Sequence, residues 1–163
     1  MTEHLVHPFP PLYDADSKIL ILGSFPSVKS REQAFFYGHP QNRFWKLLAA
    51  LYDAPCPVSI EEKRAFLLAN HIALWDVIAS CDITGSSDSS IRGATPNDLT
   101  PILTAADIRA IFCNGAASHR LYCKYIEPEI ARPAIRLPST SPANAAFSME
   151  KLIEEWKKIR FFQ

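Results

Sequence analysis

The sequence predicts an α/β domain of three layers, α/β/α, built on a central, mostly parallel four-stranded sheet. Three observations carry this. Short apolar runs recur without the in-out alternation of a half-exposed strand, segments of helical periodicity separate them, and Gly-, Ser- or Asn-rich clusters follow them. Strands covered on both faces by helices have that signature, and ligands of such sheets bind beyond the carboxyl ends of the strands.

After a proline-rich lead-in, Lys18-Ile19-Leu20-Ile21-Leu22 is closed by Gly23 and reads as the central first strand. From Asn42 the chain turns helical, with Phe44, Leu47, Leu48 and Leu51 on one face and Pro40 suited to the first turn. Ser59 and Glu62 form a capping box before a second helix that stops at Asn70. Residues 72–78 follow as a strand, and 82–97, rich in Ser, Gly, Thr and Asp, reads as a loop longer than a connection requires. Thr95-Pro96-Asn97-Asp98 starts a short helix by a cap-then-proline pattern. Residues 108–113 form the third strand, ending at Asn114-Gly115, and 116–125 its following helix. Residues 134–137 are the fourth strand, and the last helix aligns Met149, Leu152, Ile153, Trp156 and Ile159 in one stripe.

A chain of 163 residues suits one domain, 1–163, able to bury a core without disulfides or a structural metal. The 17 basic and 17 acidic side chains leave no net field, so a nucleic-acid partner would need a local patch. Cys56, Cys81, Cys113 and Cys123 are far apart without a C-x-x-C pair and read as reduced core residues, with no metal site. No basic start precedes an apolar run, and no apolar stretch approaches about 18 residues, so export and membrane insertion are not indicated and a cytoplasmic protein is expected. Neither G-x-G-x-x-G nor G-x-x-x-x-G-K-[ST] follows the first strand, which removes the usual warrant for a nucleotide cofactor.

The most site-like stretch is Gly38-His39-Pro40-Gln41-Asn42-Arg43-Phe44-Trp45, which places four polar side chains and two large aromatics where a helix begins. Gly23-Ser24-Phe25-Pro26-Ser27 and Ser139-Thr140-Ser141-Pro142-Ala143-Asn144 share its character and fall on the same rim. Taken alone, these residues have ordinary readings. Asn42 is a helix cap, His39 a partner for backbone groups, Asp88 a turn or cap residue, and Asp76 a strand-end residue bonded to nearby backbone. Arg43 pairs internally as readily as with phosphate, and at least one ring of Phe35-Phe36-Tyr37 belongs to the core.

The strings Ile21-Leu22-Gly23-Ser24-Phe25-Pro26-Ser27, Tyr37-Gly38-His39-Pro40-Gln41-Asn42-Arg43-Phe44-Trp45 and Leu137-Pro138-Ser139-Thr140-Ser141-Pro142 resemble, in that order, the uracil-DNA glycosylase superfamily. They look like its mismatch-specific branch, and more closely like the DNA-deoxyinosine (hypoxanthine-DNA) glycosylases. The resemblance implies a monofunctional hydrolase that flips a deaminated base, hypoxanthine first, out of DNA and cuts its N-glycosidic bond. It implies that Asn42 positions water and that Tyr37 stacks on the base with Phe25 closing the pocket; Asn114, by its position at the end of the third strand, is the candidate to meet the base edge. Asp88 is a candidate proton acceptor, while Ser27, Lys29, Ser139 and Ser141 would grip phosphate. No cofactor, metal or obligate protein partner is implied; the partner is DNA carrying a deaminated base.

Two departures matter. Phe25 stands where much of the superfamily has an Asn or Asp that handles water, and Ser139 and Ala143 stand where familiar members have a His and a wedging Leu. These leave two alternatives: a uracil or mismatch-specific DNA glycosylase, and a DNA-binding module of the same fold without catalysis.

Overall fold

The computed structural model describes residues 2–85 and 87–163. Its strands are β1 (Glu3–Val6), β2 (Ile19–Gly23), β3 (Ile72–Asp76), β4 (Ile78–Ile83), β5 (Arg92–Pro96), β6 (Ala110–Asn114) and β7 (Ile135–Leu137). The helices are α1 (Val28–Gln33), α2 (Phe44–Leu51), α3 (Ile60–Ala69), α4 (Thr100–Ala105), α5 (Ala116–Tyr125), α6 (Glu127–Ile130) and α7 (Met149–Trp156). Short 3-10 turns occupy Asp88–Ser90 and Lys157–Phe162.

The expected parallel sheet is present, in the order β3-β2-β6-β7 and parallel throughout. Every residue of β2 and β3 is buried, so both faces of the sheet centre are covered. Helix α3 packs on β3, α5 on β6 and β7, and α2 on α7. The chain enters at β2, moves to β3 on one side, then crosses to β6 on the other. The carboxyl end of β2, at Gly23, is therefore the point where strand order reverses, and a crevice opens there.

Local chemistry accounts for the best-predicted elements. The Ser59–Glu62 capping box is complete, Glu62 N donating to Ser59 Oγ at 3.0 Å and Ser59 N to Glu62 Oε1 at 2.9 Å. The α7 stripe buries Leu152 and Trp156, whose indole N–H donates to Pro138 O at 2.8 Å. That bond ties the last helix to the segment leaving β7.

Several expectations need correction. Residues 72–78 are two strands in two sheets. Val77 and Ile78 N–H groups donate to Gly23 O and Ser24 O at 2.8 and 3.0 Å, and the Asn97 amide donates to Asp76 O and Ile78 O, so the chain turns off β3 while still held against the end of β2. The second sheet, ordered β1-β4-β5 and antiparallel, takes in Glu3–Val6 of the lead-in and both ends of the expected 82–97 loop. Its strands have polar, half-exposed faces, the pattern of an antiparallel sheet with one wet side, which composition alone mimics as a loop.

Thr95 and Pro96 lie in β5; α4 starts at Thr100 after the N-cap residue Leu99, with Pro101 in its first turn and Asp98 Oδ1 accepting from Thr100 N at 2.9 Å. The six-residue α1 was not expected, β6 runs from 110 to 114, and α2 begins at Phe44 with Pro40 outside it. Cys81 and Cys113 are buried, but Cys56 and Cys123 are exposed, so only half of the cysteines are core residues. No helix among the described residues is long and apolar enough to cross a membrane, and no cluster of three His, Cys, Asp or Glu among them could hold a metal.

Candidate active site

A cavity of about 300 Å³ opens at the end of β2 and is lined by all three polar clusters singled out in the sequence. The end of β2 contributes Gly23, Ser24 and Phe25, the approach to α2 contributes Tyr37, His39 and Asn42, and the turn after β7 contributes Ser139, Thr140 and Ser141. Asn114, Asp76 and Asp88 complete the lining.

One side is a closed hydrogen-bond network centred on Thr140, which is wholly buried. Asn114 grips Thr140 twice: its Nδ2 donates to Thr140 Oγ1 at 3.0 Å, and its Oδ1 accepts from Thr140 N at 3.0 Å. The Thr140 hydroxyl in turn donates to Asn42 Oδ1 at 2.8 Å. Asn42 Oδ1 also accepts from Phe44 N at 3.0 Å, so it satisfies the first N–H of α2 from one residue before the N-cap position, Arg43. The carbonyl of Asn42 is thus fully used, while its Nδ2 has no partner among the described residues. An amide held that way can donate to a water oxygen but cannot take its proton.

Arg43 is turned inward. Its guanidinium donates to Asn144 O at 3.0 Å and to Phe147 O, and its backbone N–H donates to Thr140 O at 3.1 Å, clamping the turn after β7 onto the start of α2. His39 Nδ1 accepts from Gln41 N at 3.1 Å, a backbone partnership as expected.

The other side is built around β3 and the residues over Gly23. Asp76, 4 % exposed, accepts from His7 Nε2 through Oδ2 at 2.7 Å. A Cβ on Gly23 would stand 2.4 Å from Asp76 Oδ1 and 3.2 Å from the Tyr37 hydroxyl, so only glycine allows both groups to sit there. Tyr37 has a left-handed backbone, φ 51°, a strained state held by Trp45 Nε1 bonding Tyr37 O and by stacking of its ring on Phe44 at 4.1 Å. Its hydroxyl is buried without a hydrogen-bond partner among the described residues. Burial, reinforced by the Asp76 carboxylate, pushes this phenol far above its ordinary range; the Asn114 amide opposes the shift without reaching hydrogen-bond geometry. Tyr37 is therefore a neutral ring, half-buried, with its hydroxyl end sealed.

Asp88 sits at the mouth and accepts from Ser24 Oγ at 2.5 Å. Asp88 as a whole is exposed, but desolvation of its carboxyl at the cavity wall, with a smaller contribution from Asp76, raises its pKa against the lowering effects of the Ser24 bond and Arg120. A carboxylate so perturbed, in a cleft, is suited to accepting a proton.

The structure brings together Asn42, Tyr37, Phe25, Asn114, Asp88, Ser27, Ser139 and Ser141. Lys29 is not in the lining; it is exposed and pairs with Glu32 at 3.4 Å. The Ser27 hydroxyl caps α1 by accepting from Ser30 N at 3.2 Å, and Ser139 and Ser141 accept from Ser141 N and Ala143 N, so all three serines also fix loop backbone. Sequence reasoning gave His7 and Thr140 no role and left Asp76 with its ordinary strand-end reading. Asp76 carried a signal, a carboxylate at the end of a buried strand on the rim; His7, 69 residues away in the lead-in, carried none.

Comparison with known proteins gives one answer. The model of the family described as "Uracil DNA glycosylase superfamily" matches residues 10–163. The hypoxanthine DNA glycosylase of Methanosarcina acetivorans is 32% identical over 155 residues, covering 93% of this chain and 95% of the relative. That of Methanosarcina barkeri is 32% identical over 112 residues, 68% of this chain and 71% of the relative. A solution NMR structure of a candidate uracil DNA glycosylase from Methanosarcina acetivorans superposes with a TM-score of 0.81 at 32% identity, covering 99% of each chain.

Proposed function

The chain belongs to the uracil DNA glycosylase superfamily, and from that premise we propose that it is a monofunctional DNA glycosylase that releases a deaminated base, hypoxanthine first, from DNA. The observation that carries the reading is the pinned Asn42: its carbonyl is consumed by Phe44 N and Thr140 Oγ1, which leaves an oriented amide N–H pair in the cavity. The relatives named for hypoxanthine support the choice of base.

A stacked base is out of reach, so the nucleotide must be extruded into the cavity. The Tyr37 ring, backed by Phe44, offers a rigid platform for it, and Phe25 closes the pocket from the end of β2. One Asn114 N–H remains beyond its bond to Thr140 and can meet a base carbonyl. Asp76 Oδ1, unbonded among the described residues, supplies an acceptor.

Cleavage passes through an oxocarbenium-like sugar, so a weakly activated water held in line suffices. Asn42 Nδ2 donates to that water and aims its other lone pair at the anomeric carbon. As the C–O bond forms, the C–N bond breaks and its electron pair leaves with the base, while the water's proton passes to Asp88 and then to the departing base or solvent. Phosphate contacts fall to the loop backbone that Ser27, Ser139 and Ser141 hold in place, and to Lys29 outside the cavity.

The test is base release from matched oligonucleotides containing one deoxyinosine, deoxyuridine or deoxyxanthosine, single- and double-stranded, with the parent protein and Asn42→Ala. Deoxyinosine-selective release that falls by about 100-fold or more in the variant is expected. Release unchanged in the variant would remove Asn42 from the mechanism. Uracil released ahead of hypoxanthine would move the assignment to the uracil branch, and no release from any oligonucleotide would leave a DNA-binding module.

A further inference from the structure

His7 lies before residue 10, where the family match begins, yet its ring reaches Asp76, a buried carboxylate of the cavity lining. It arrives there because β1 pairs with β4: Val6 stands opposite Ser80, and His7 N donates to Ala79 O at 2.7 Å. The imidazole is then held between Trp75 and Phe9, with ring centroids 4.4 and 4.5 Å away, and its side chain is only 3% exposed. Nε2 is the sole ring nitrogen with a hydrogen-bond partner among the described residues, and that partner is Asp76 Oδ2. A buried imidazole caged by aromatic rings and joined to one carboxylate oxygen fixes the direction of the other. That other oxygen, Oδ1, lies against Gly23 in the cavity lining.

Deamination changes the edge of a base in one specific way. The ring nitrogen beside the altered carbon goes from acceptor to N–H donor, and the amino group becomes a carbonyl. An acceptor fixed in space opposite that nitrogen gains a hydrogen bond with the deaminated base and meets a lone pair with the normal one. We propose that His7, through its bond to Asp76, is the positioning residue for base recognition, holding Oδ1 where it accepts the ring N–H that deamination creates. This rests on the glycosylase reading above and deepens it: the substrate class is the lactam edge, and the fixed acceptor is supplied in part from outside the matched family region.

The experiment compares single-turnover release of hypoxanthine with release of unsubstituted purine, whose ring nitrogen carries no hydrogen, from otherwise identical oligonucleotides. The proteins are the parent, His7→Phe, which preserves the aromatic packing, Asp76→Asn and the double variant. His7→Phe should lower the preference for hypoxanthine at least about 10-fold, with most of the loss in that ratio rather than in purine release. Asp76→Asn keeps an oxygen for His7 to hold and turns the amide N–H toward the cavity, so the preference should shift further toward purine. Adding His7→Phe to Asp76→Asn frees the amide to turn its oxygen to the cavity, so part of the shift toward purine should be lost again, the non-additivity expected of two residues that act as one unit.

A His7→Phe protein that releases both bases more slowly by the same factor would overturn the proposal and leave His7 a packing residue. The Asp76→Asn arm decides independently: an unchanged ratio there overturns the proposal whether or not His7→Phe folds. Parent protein that releases neither base overturns the glycosylase reading itself, an outcome separate from parent protein active on hypoxanthine whose ratio ignores both substitutions.

Discussion

The two sides of the cavity differ in how their polar atoms are satisfied. On the Asn42–Thr140–Asn114 side, each side chain is hydrogen-bonded to the next and the bonds close on backbone at Phe44 N and Thr140 N. On the His7–Asp76–Tyr37 side, His7 Nδ1 and the Tyr37 hydroxyl are buried without partners among the described residues, and Asp76 carries one bonded oxygen. The first side is a finished scaffold that orients one free amide. The second holds unmet hydrogen-bonding capacity in a protein interior, where native structures seldom leave it. Removing a polar group should therefore cost stability on the first side and can add stability on the second.

Thr140→Val should break the finished side most severely. The change is close in shape but strips both hydroxyl bonds from a buried site, so a loss of about 3 kcal/mol in unfolding free energy is expected, together with a fall in base release as Asn42 loses its anchor. Chemical denaturation and single-turnover release should fall together; a variant as stable as the parent would show that the network is decorative.

Gly23→Ala should be the next largest effect, acting on the open side. Its Cβ would sit 2.4 Å from Asp76 Oδ1, which forces the carboxylate or the strand end to move, at a cost of about 1–3 kcal/mol. Release should drop even at temperatures where the variant is fully folded, which circular dichroism and release measured together would verify.

Tyr37→Phe reverses the sign. It removes a buried hydroxyl that bonds to nothing described while keeping the stacking ring, so melting should occur at a higher temperature, with a gain of about 1 kcal/mol, and release should stay within a few-fold of the parent. Loss of stability instead would mean that the hydroxyl is satisfied, by water for example, and that the contrast between the sides is smaller than drawn.

Asp88→Asn sharpens the contrast at the mouth, and its sign follows from linkage. A carboxyl whose folded pKa is raised contributes stability that is present below its ordinary value of 3.8 and is lost as pH rises through the higher folded value. The Asn variant lacks that loss. Parent and variant should melt alike in strong acid, and the variant should melt slightly higher near neutrality while releasing base more slowly. Identical melting profiles across the whole range would argue against a perturbed Asp88.

The open side is also the part of the site that sequence reading reached least. The core strand β2, the Ser59–Glu62 box, the buried stripe of α7 and the polar clusters around Asn42 and Ser139 all announce themselves within a few neighbouring residues. Local periodicity and capping rules operate at that range. The second sheet was missed because its strands alternate weakly and are rich in Ser, Asp and Thr, which composition assigns to loops. With β1 and β4 unseen, nothing could place His7 beside Asp76. Asn42 shows the converse: the bond to Phe44 N at the start of α2 consumes only the side-chain oxygen, which leaves the amide N–H pair free, among the described residues, for the proposed water contact.

The pairing of β1 with β4 has a consequence for the order in which the molecule is made. His7 is synthesised ahead of its partner Asp76, which follows 69 residues later. Closing so long a segment carries an entropic cost that local turns do not face, and contacts of high sequence separation slow folding. The parallel sheet needs none of β1, so it can assemble around β2 while the amino-terminal strand is still undocked. Completion of the His7–Asp76 side of the cavity then becomes a separable late step, and anything fused or bound ahead of Glu3 acts on that step first.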